Sequence, residues 1–301
     1  MSIDRLINVL VSITLIEMMA AVGLSVTFSD LVSVARNWRL VARSALANYV
    51  CVPAATVGLL LLFGVQPMVA AGFLILAACP GAPYIPPVVA IAKGNVAVAV
   101  GLMLILAGSS AILAPILLYC LLPLVSGSVP LTVDATRIVG TLLVTQLVPL
   151  CVGVAVRQWR PLLADRLQKP ANLVSKVLNL VVVGVILVTQ FQLLTAIRPR
   201  GFVGMLALLI GSWASGWLLG GPGTEARKAM TLTTSLRNVG VGLVIASSAF
   251  AGTPAVTAAL AYGLFAVVGS LLLALACAGR GAGISLNAEK KNASSAEAVI
   301  R

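Results

Sequence analysis

Arg237 is the side chain that most directly implies chemistry. It sits in Thr231-Leu232-Thr233-Thr234-Ser235-Leu236-Arg237-Asn238-Val239-Gly240-Val241-Gly242, a polar, glycine-bearing run amid apolar sequence. A guanidinium at the middle of a membrane costs at least about 2.5–3.5 kcal/mol, so it must face protein or water and have a partner. Two readings stand side by side. Arg237 closes an internal ion pair that locks the fold, or it is a functional cation: a counter-charge for an anionic substrate, or a fixed stand-in for a coupling ion. Glu17 is the one acid well inside an apolar segment; Asp30, Asp134, Asp165 and Glu225 fall at loops or ends. With no histidine in the chain, Glu17 is the mid-segment group able to carry a proton, with pairing or cavity lining as its other reading. Asn48 is polar within a second apolar segment and reads as a packing hydrogen bond.

Intramembrane catalysis is not expected. An aspartyl protease needs two facing aspartates inside the apolar segments, and there are none. A serine hydrolase needs a base, and a zinc site needs a ligand set, neither of which this chain supplies. The five cysteines (Cys51, Cys79, Cys120, Cys151, Cys277) fall in apolar segments at unrelated spacings, so neither a disulfide framework nor a metal centre is implied. The expectation is a protein that is not an enzyme and has no resident cofactor.

The elements that position these residues are membrane helices. The chain is 301 residues long, 60% hydrophobic and 9% charged, with a mean hydropathy of +1.10, where a soluble domain carries about 25% charge. Nine spans are expected, at approximately 5–28, 44–64, 67–92, 96–123, 136–157, 171–196, 201–220, 226–250 and 254–279. No cleavable signal pattern opens the chain, and the polar tail 280–301 is expected to be disordered. The net charge of +12 is sorted by loop rather than gathered into a nucleic-acid patch. Arg36, Arg39, Arg43, Lys93, Arg157 to Lys176, Arg227, Lys228 and the bases from Arg280 onward fall on one side; Arg5, Arg137, Arg198 and Arg200 fall on the other. The richer side is cytoplasmic by the positive-inside rule, which puts the N-terminus outside and the C-terminus inside.

Two of these spans are interrupted. Cys79-Pro80-Gly81-Ala82-Pro83-Tyr84-Ile85-Pro86-Pro87 places four prolines inside the third. Each proline lacks an N–H and clashes with the carbonyl four residues back, and carbonyls freed in hydrocarbon need protein or a wet cavity to receive them. The run around Arg237 interrupts the eighth. The two lie five spans apart, so they cross in opposite directions, the mark of an inverted-repeat secondary transporter. The first repeat would then lack its opening helix, giving four spans plus five.

These residues resemble the bile acid:sodium symporter family over nearly the whole chain. Gly23-Leu24-Ser25-Val26 to Asp30 is similar to the end of the family's first panel helix in proteins lacking the extra N-terminal span, and Asn48 to Pro53 is similar to its glutamine-to-proline segment. Cys79-Pro80-Gly81, followed by Ala92-Lys93-Gly94-Asn95, is similar to its first crossover and the loop beyond. Lys228 to Asn238, on to Phe250, is similar to its second crossover. The resemblance implies an all-α polytopic fold over residues 1–279. Panel helices would lie near 5–28, 136–157 and 171–196, and core helices near 44–123 and 201–279. It also implies a substrate cavity between core and panel, and alternating access.

Departures from the family's pattern fall on its sodium ligands. Serine and asparagine ligands of the first crossover are replaced by Ile85 and Pro86 here, and further hydroxyl positions by Ala99 and Met103. The acidic ligand of the second crossover is replaced by Thr233, and a glutamine by Arg237; Asn48 keeps an amide. Isoleucine, proline, alanine and methionine supply no hard oxygen. The expected function is therefore secondary transport of an organic anion, bile-acid-like or a small carboxylate, with Arg237 substituting for sodium charge or a proton carried on Glu17. The implied site comprises Arg237, Asn238, Thr233, Asn48, Glu17, Pro83, Ile85 and Pro86. Its partners are a small organic anion and the lipid of a bacterial inner membrane, with no nucleic acid. Two alternatives stand: sodium symport through backbone carbonyls at the breaks, and a non-transporting binding or sensor protein on the same fold.

Overall fold

The structure, a computed structural model, describes residues 3–127, 131, 133–189, 191–192, 197 and 199–299, with the side chains of 3–5, 183, 186–187 and 280–299 outside the description. All regular structure among the described residues is helical. In chain order the elements are α1 (Ile3–Leu24), α2 (Phe28–Arg36), α3 (Trp38–Leu46), α4 (Val52–Leu62), α5 (Pro67–Ala78), α6 (Ile85–Ile91) and α7 (Val96–Val125). There follow α8 (Ala135–Leu142), α9 (Val148–Trp159), α10 (Pro161–Thr189), α11 (Pro199–Leu219), α12 (Thr224–Ser235), α13 (Val239–Ala249) and α14 (Pro254–Val299). Two π-helical turns, Ala47–Cys51 and Leu143–Leu147, splice α3 to α4 and α8 to α9. Each is followed two residues later by a proline, Pro53 or Pro149, whose missing N–H and ring widen the turn before it.

Among the described residues seven helices are long and apolar enough to cross a membrane, the two π-spliced pairs and α12–α13 each counted as one. The other two expected spans, 67–92 and 171–196, fall on the α5–α6 pair and on α10, with residues 190 and 193–196 outside the described residues. Thr224–Ala249 is the span most enclosed by protein: 89% of its apolar window is buried, against 28–50% for the other six. Arg237 therefore lies at the centre of the molecule, away from lipid.

Three boundaries differ from expectation. The first span ends at Leu24, and residues 28–36 form a separate short helix, whose start is fixed by a Thr27–Asp30 capping box. The stretch from 158 to 170, expected as a basic loop, is largely the first turns of α10, with Pro170 inside it. The last expected span, 254–279, runs on as α14 to Val299, through alanine, lysine and glutamate that are good helix formers.

Small residues set the closest helix contacts. A Cβ on Gly23 of α1 would lie 2.8 Å from Gly153 Cα of α9, and the reverse is equally true. Gly216 of α11 and Gly220 just past its end face α12 in the same way, a Cβ there lying 2.8 Å from Met230 O and 2.7 Å from Arg227 Cα; Gly211 faces open space. Such approaches let backbones pack where lipid provides no hydrophobic drive.

Candidate functional site

The two interrupted helices meet at their breaks. The first break spans Cys79 to Tyr84, between α5 and α6. Pro80 and Pro83 occupy it, whereas Pro86 and Pro87 sit in the first turn of α6, where an N–H has no intrahelical acceptor to lose. The second break is Leu236 to Asn238, between α12 and α13.

Asn238 ties one break to the other. Its N–H donates to Cys79 O at 2.8 Å, its Nδ2 donates to Gly81 O at 3.3 Å, and its Oδ1 caps α13 by accepting from Val241 N–H at 3.2 Å. Gly81 has φ +84°, and a Cβ there would lie 2.8 Å from Met103 O with the Ala107 backbone closer still, so glycine alone fits this crossing. Tyr84 closes it from the other side, its hydroxyl donating to Arg237 O at 2.6 Å.

Arg237 is 1% exposed. Its Nε donates to Leu76 O at 3.2 Å and its Nη2 to Ala77 O, so the guanidinium caps the broken end of α5. Nη1 donates to Asn48 Oδ1 at 2.7 Å and to Thr234 O at 3.3 Å; Nη2 also reaches Asn48 O at 3.5 Å. All of these acceptors are neutral oxygens. The one salt bridge among the described residues, Arg157–Asp165, lies elsewhere. The internal ion pair considered for Arg237 is thus replaced by a fork onto carbonyls and one amide, with the positive charge placed at the negative end of a helix dipole.

The other candidate residues fall into place around this centre or away from it. Asn48, in the first π turn, is brought to Arg237 and also faces Thr234 Oγ1 at 3.5 Å. Thr233 is buried, and its Oγ1 has no hydrogen-bond partner. Ile85, Ala99 and Met103 are buried apolar groups and offer a cation no oxygen. Pro86 is half-buried at the start of α6. Glu17 is separate from Arg237: its Oε2 accepts from Ser175 Oγ of α10 at 2.5 Å, and its buried Oε1 has no partner.

Beside Glu17 opens a cleft of about 400 Å³ between α1, α10 and the first break. Pro83, Tyr84 and Pro87 line it from the break, and Met18 and Val22 line it from α1. Asn172, Ser175, Lys176 and Asn179 line it from α10. Sorting the bases by loop places Lys176 with the basic side and leaves these four ungrouped. Their spacing of i, i+3, i+4 and i+7 is one helical face, a polar stripe on an apolar helix, and was visible in the sequence. A larger groove of about 630 Å³ between α2, α7 and α9 is lined almost wholly by apolar side chains and touches neither break, so it offers an anion nothing to hold.

The loop after α6 repeats this economy of polar groups. Lys228 Nζ donates to Ala92 O at 2.9 Å, at the end of α6; Asn95 caps α7 by accepting from Val98 N–H at 3.0 Å. Asn95 N–H in turn donates to Glu225 O at 3.1 Å. Ala92-Lys93-Gly94-Asn95 thereby ties the first broken pair to the base of the second.

A search of curated proteins finds no match to the chain. A profile of the sodium bile acid symporter family matches residues 12–197, more than half of the chain and including α1, the first break and α10. With the crossed breaks and the cleft beside them, this shows that the chain belongs to the sodium bile acid symporter family, a family of membrane transporters.

Proposed function

We propose that this protein carries a small organic anion across the membrane by alternating access, without sodium, with Arg237 holding the crossover together as a bound cation otherwise would. One observation carries the reading: the guanidinium donates to Leu76 O, Ala77 O and the Asn48 amide, oxygens freed at or beside the break that would otherwise be open to an ion. A sodium ion 4 Å from that charge would be repelled by about 4 kcal/mol at an effective dielectric of 20. The chain is read as an inner-membrane protein with its N-terminus outside, on the strength of its sorted basic residues.

A proton-linked variant of this reading is favoured by one further fact. Glu17 Oε1 is buried without a partner while Oε2 is held by Ser175, an arrangement that suits a carboxyl that gains and loses a proton.

Uptake of radiolabelled cholate and of short-chain carboxylates into proteoliposomes, with sodium or choline outside, tests the reading. Equal uptake in the two salts is expected, and strong sodium dependence would overturn it. In Glu17→Gln, uptake that no longer responds to an imposed pH gradient is the outcome expected of proton linkage; an unaltered response removes Glu17 from the coupling.

A further inference from the structure

Arg237 cannot also be the counter-charge for an anionic substrate. It is fully buried and all three of its nitrogens are engaged by oxygens of α5, α12 and the π turn at Asn48. An anion entering the cleft at the first break needs another cation, and Lys176 is the one charged residue in that lining.

Four observations converge on Lys176. It lies on α10 across the cleft from Pro83, Tyr84 and Pro87. Asn172 lies one turn before it and Asn179 one turn after, so two amides share its helix face and line the same cleft. It has no carboxylate within salt-bridge distance among the described residues. Glu17, the acid hydrogen-bonded to this helix, is held by Ser175, the residue next to Lys176. Tyr84 joins this cleft to the centre, since the residue that lines the wall also donates to Arg237 O.

We propose that Lys176, with Asn172 and Asn179, takes the anionic group of the substrate, and that the apolar lining beside them selects a compact acid over a bulky one. The ammonium and the two amides meet the carboxylate and a neighbouring hydroxyl or amide. Met18, Val22 and the proline wall meet the apolar body. A cleft of about 400 Å³ is at the lower end of ligand sites, roughly 300–1,000 Å³, which favours a compact acid over a bulky one. A lysine that merely snorkels from a membrane helix toward headgroups would carry none of these consequences. The inference rests on the anion-carrier reading and specifies which residues hold the anion.

The test is equilibrium binding by calorimetry to the purified full-length chain in detergent, alongside flux in proteoliposomes. The probes are pyruvate, 2-hydroxy-3-methylbutyrate, hexanoate and cholate, each beside its uncharged amide. At least one anion is expected to bind, its amide more weakly, with the tightest ligand among the three short acids. Lys176→Gln weakens that anion by about tenfold or more, the loss of one charge-assisted contact, and leaves amide binding unchanged. Lys176→Arg restores anion binding to within about threefold, since it restores the charge. Asn179→Asp, which sets a carboxylate beside the ammonium without removing it, also weakens the anion by about tenfold or more. Anion binding that is unaltered in both Lys176→Gln and Asn179→Asp overturns the proposal, as does failure of all four anions to bind. Binding that depends on Lys176 without any flux leaves this proposal standing and defeats the transporter reading; flux whose KM ignores Lys176 defeats this proposal alone.

Discussion

Burying a guanidinium without a counter-ion is expensive, and Arg237 shows how the cost is met. Its donors answer carbonyls that the break had left without partners, so two sets of unsatisfied groups cancel. Removing the side chain therefore strands Leu76 O, Ala77 O and Asn48 Oδ1 in a dry interior. At about 1–3 kcal/mol per stranded group, Arg237→Ala is expected to lose about 3 kcal/mol or more, read as a large fall in Tm. Arg237→Lys keeps the charge but cannot reach three acceptors at once, and is expected to fall between the two. A Tm for Arg237→Ala within 2 °C of wild type would contradict this assignment. Asn48→Ala removes one strong contact and is expected to cost about 1–3 kcal/mol in the same melt.

At the scale of elements, the crossing depends on backbone that only certain residues permit. Gly81 and Gly64 both have positive φ, at +84° and +59°, but a Cβ on Gly64 would meet nothing within 4 Å while one on Gly81 would strike α7. Gly64→Ala should cost only the left-handed backbone strain, about 1–2 kcal/mol. Gly81→Ala adds a backbone collision and should abolish the folded, monodisperse protein in size-exclusion chromatography; equal behaviour of the two variants would show the crossing to be loose. The short helix α2 carries a pH signature of its own. The hydroxyl and N–H of Thr27 hold the Asp30 carboxyl below the usual carboxylate range. A lowered folded pKa means the cap stabilises α2 above the ordinary aspartate range, and that stabilisation is lost as pH falls through the depressed value. Amide protection factors at α2, each rate referred to the intrinsic exchange rate at that pH, are expected to fall on acidification in wild type and to be low at every pH in Asp30→Ala.

At the scale of the whole molecule, much of the architecture was legible because hydropathy reports on bilayer crossing directly. The two interruptions were legible for the same reason, since prolines, glycines and a charge in apolar sequence contradict an unbroken helix. What was not legible was which polar groups meet. Glu17 and Arg237 were the two charges well inside spans and invited pairing, yet they do not pair: one accepts from Ser175 and the other donates to α5. Partner choice depends on how helices rotate and stack, which composition does not encode. Lys176 was hidden differently: its helix starts at Pro161, ten residues before the apolar run, so a buffer of loop-like charge masked a residue facing a cleft. The profile match ends at residue 197, short of the second break, so the proposed replacement of ion ligands around Arg237 is argued from the contacts of this chain's own residues.

That replacement is the central claim, and it can be tested before any substrate is known. Purified protein is melted across a titration of sodium chloride against choline chloride at constant ionic strength. A ligand present at a hundred times its Kd stabilises a fold by about 2.7 kcal/mol, which a melt detects readily. Coincident melting curves in the two salts are predicted for wild type, because the Arg237 guanidinium already occupies the carbonyls an ion would need. A saturable rise in Tm specific to sodium would contradict the account.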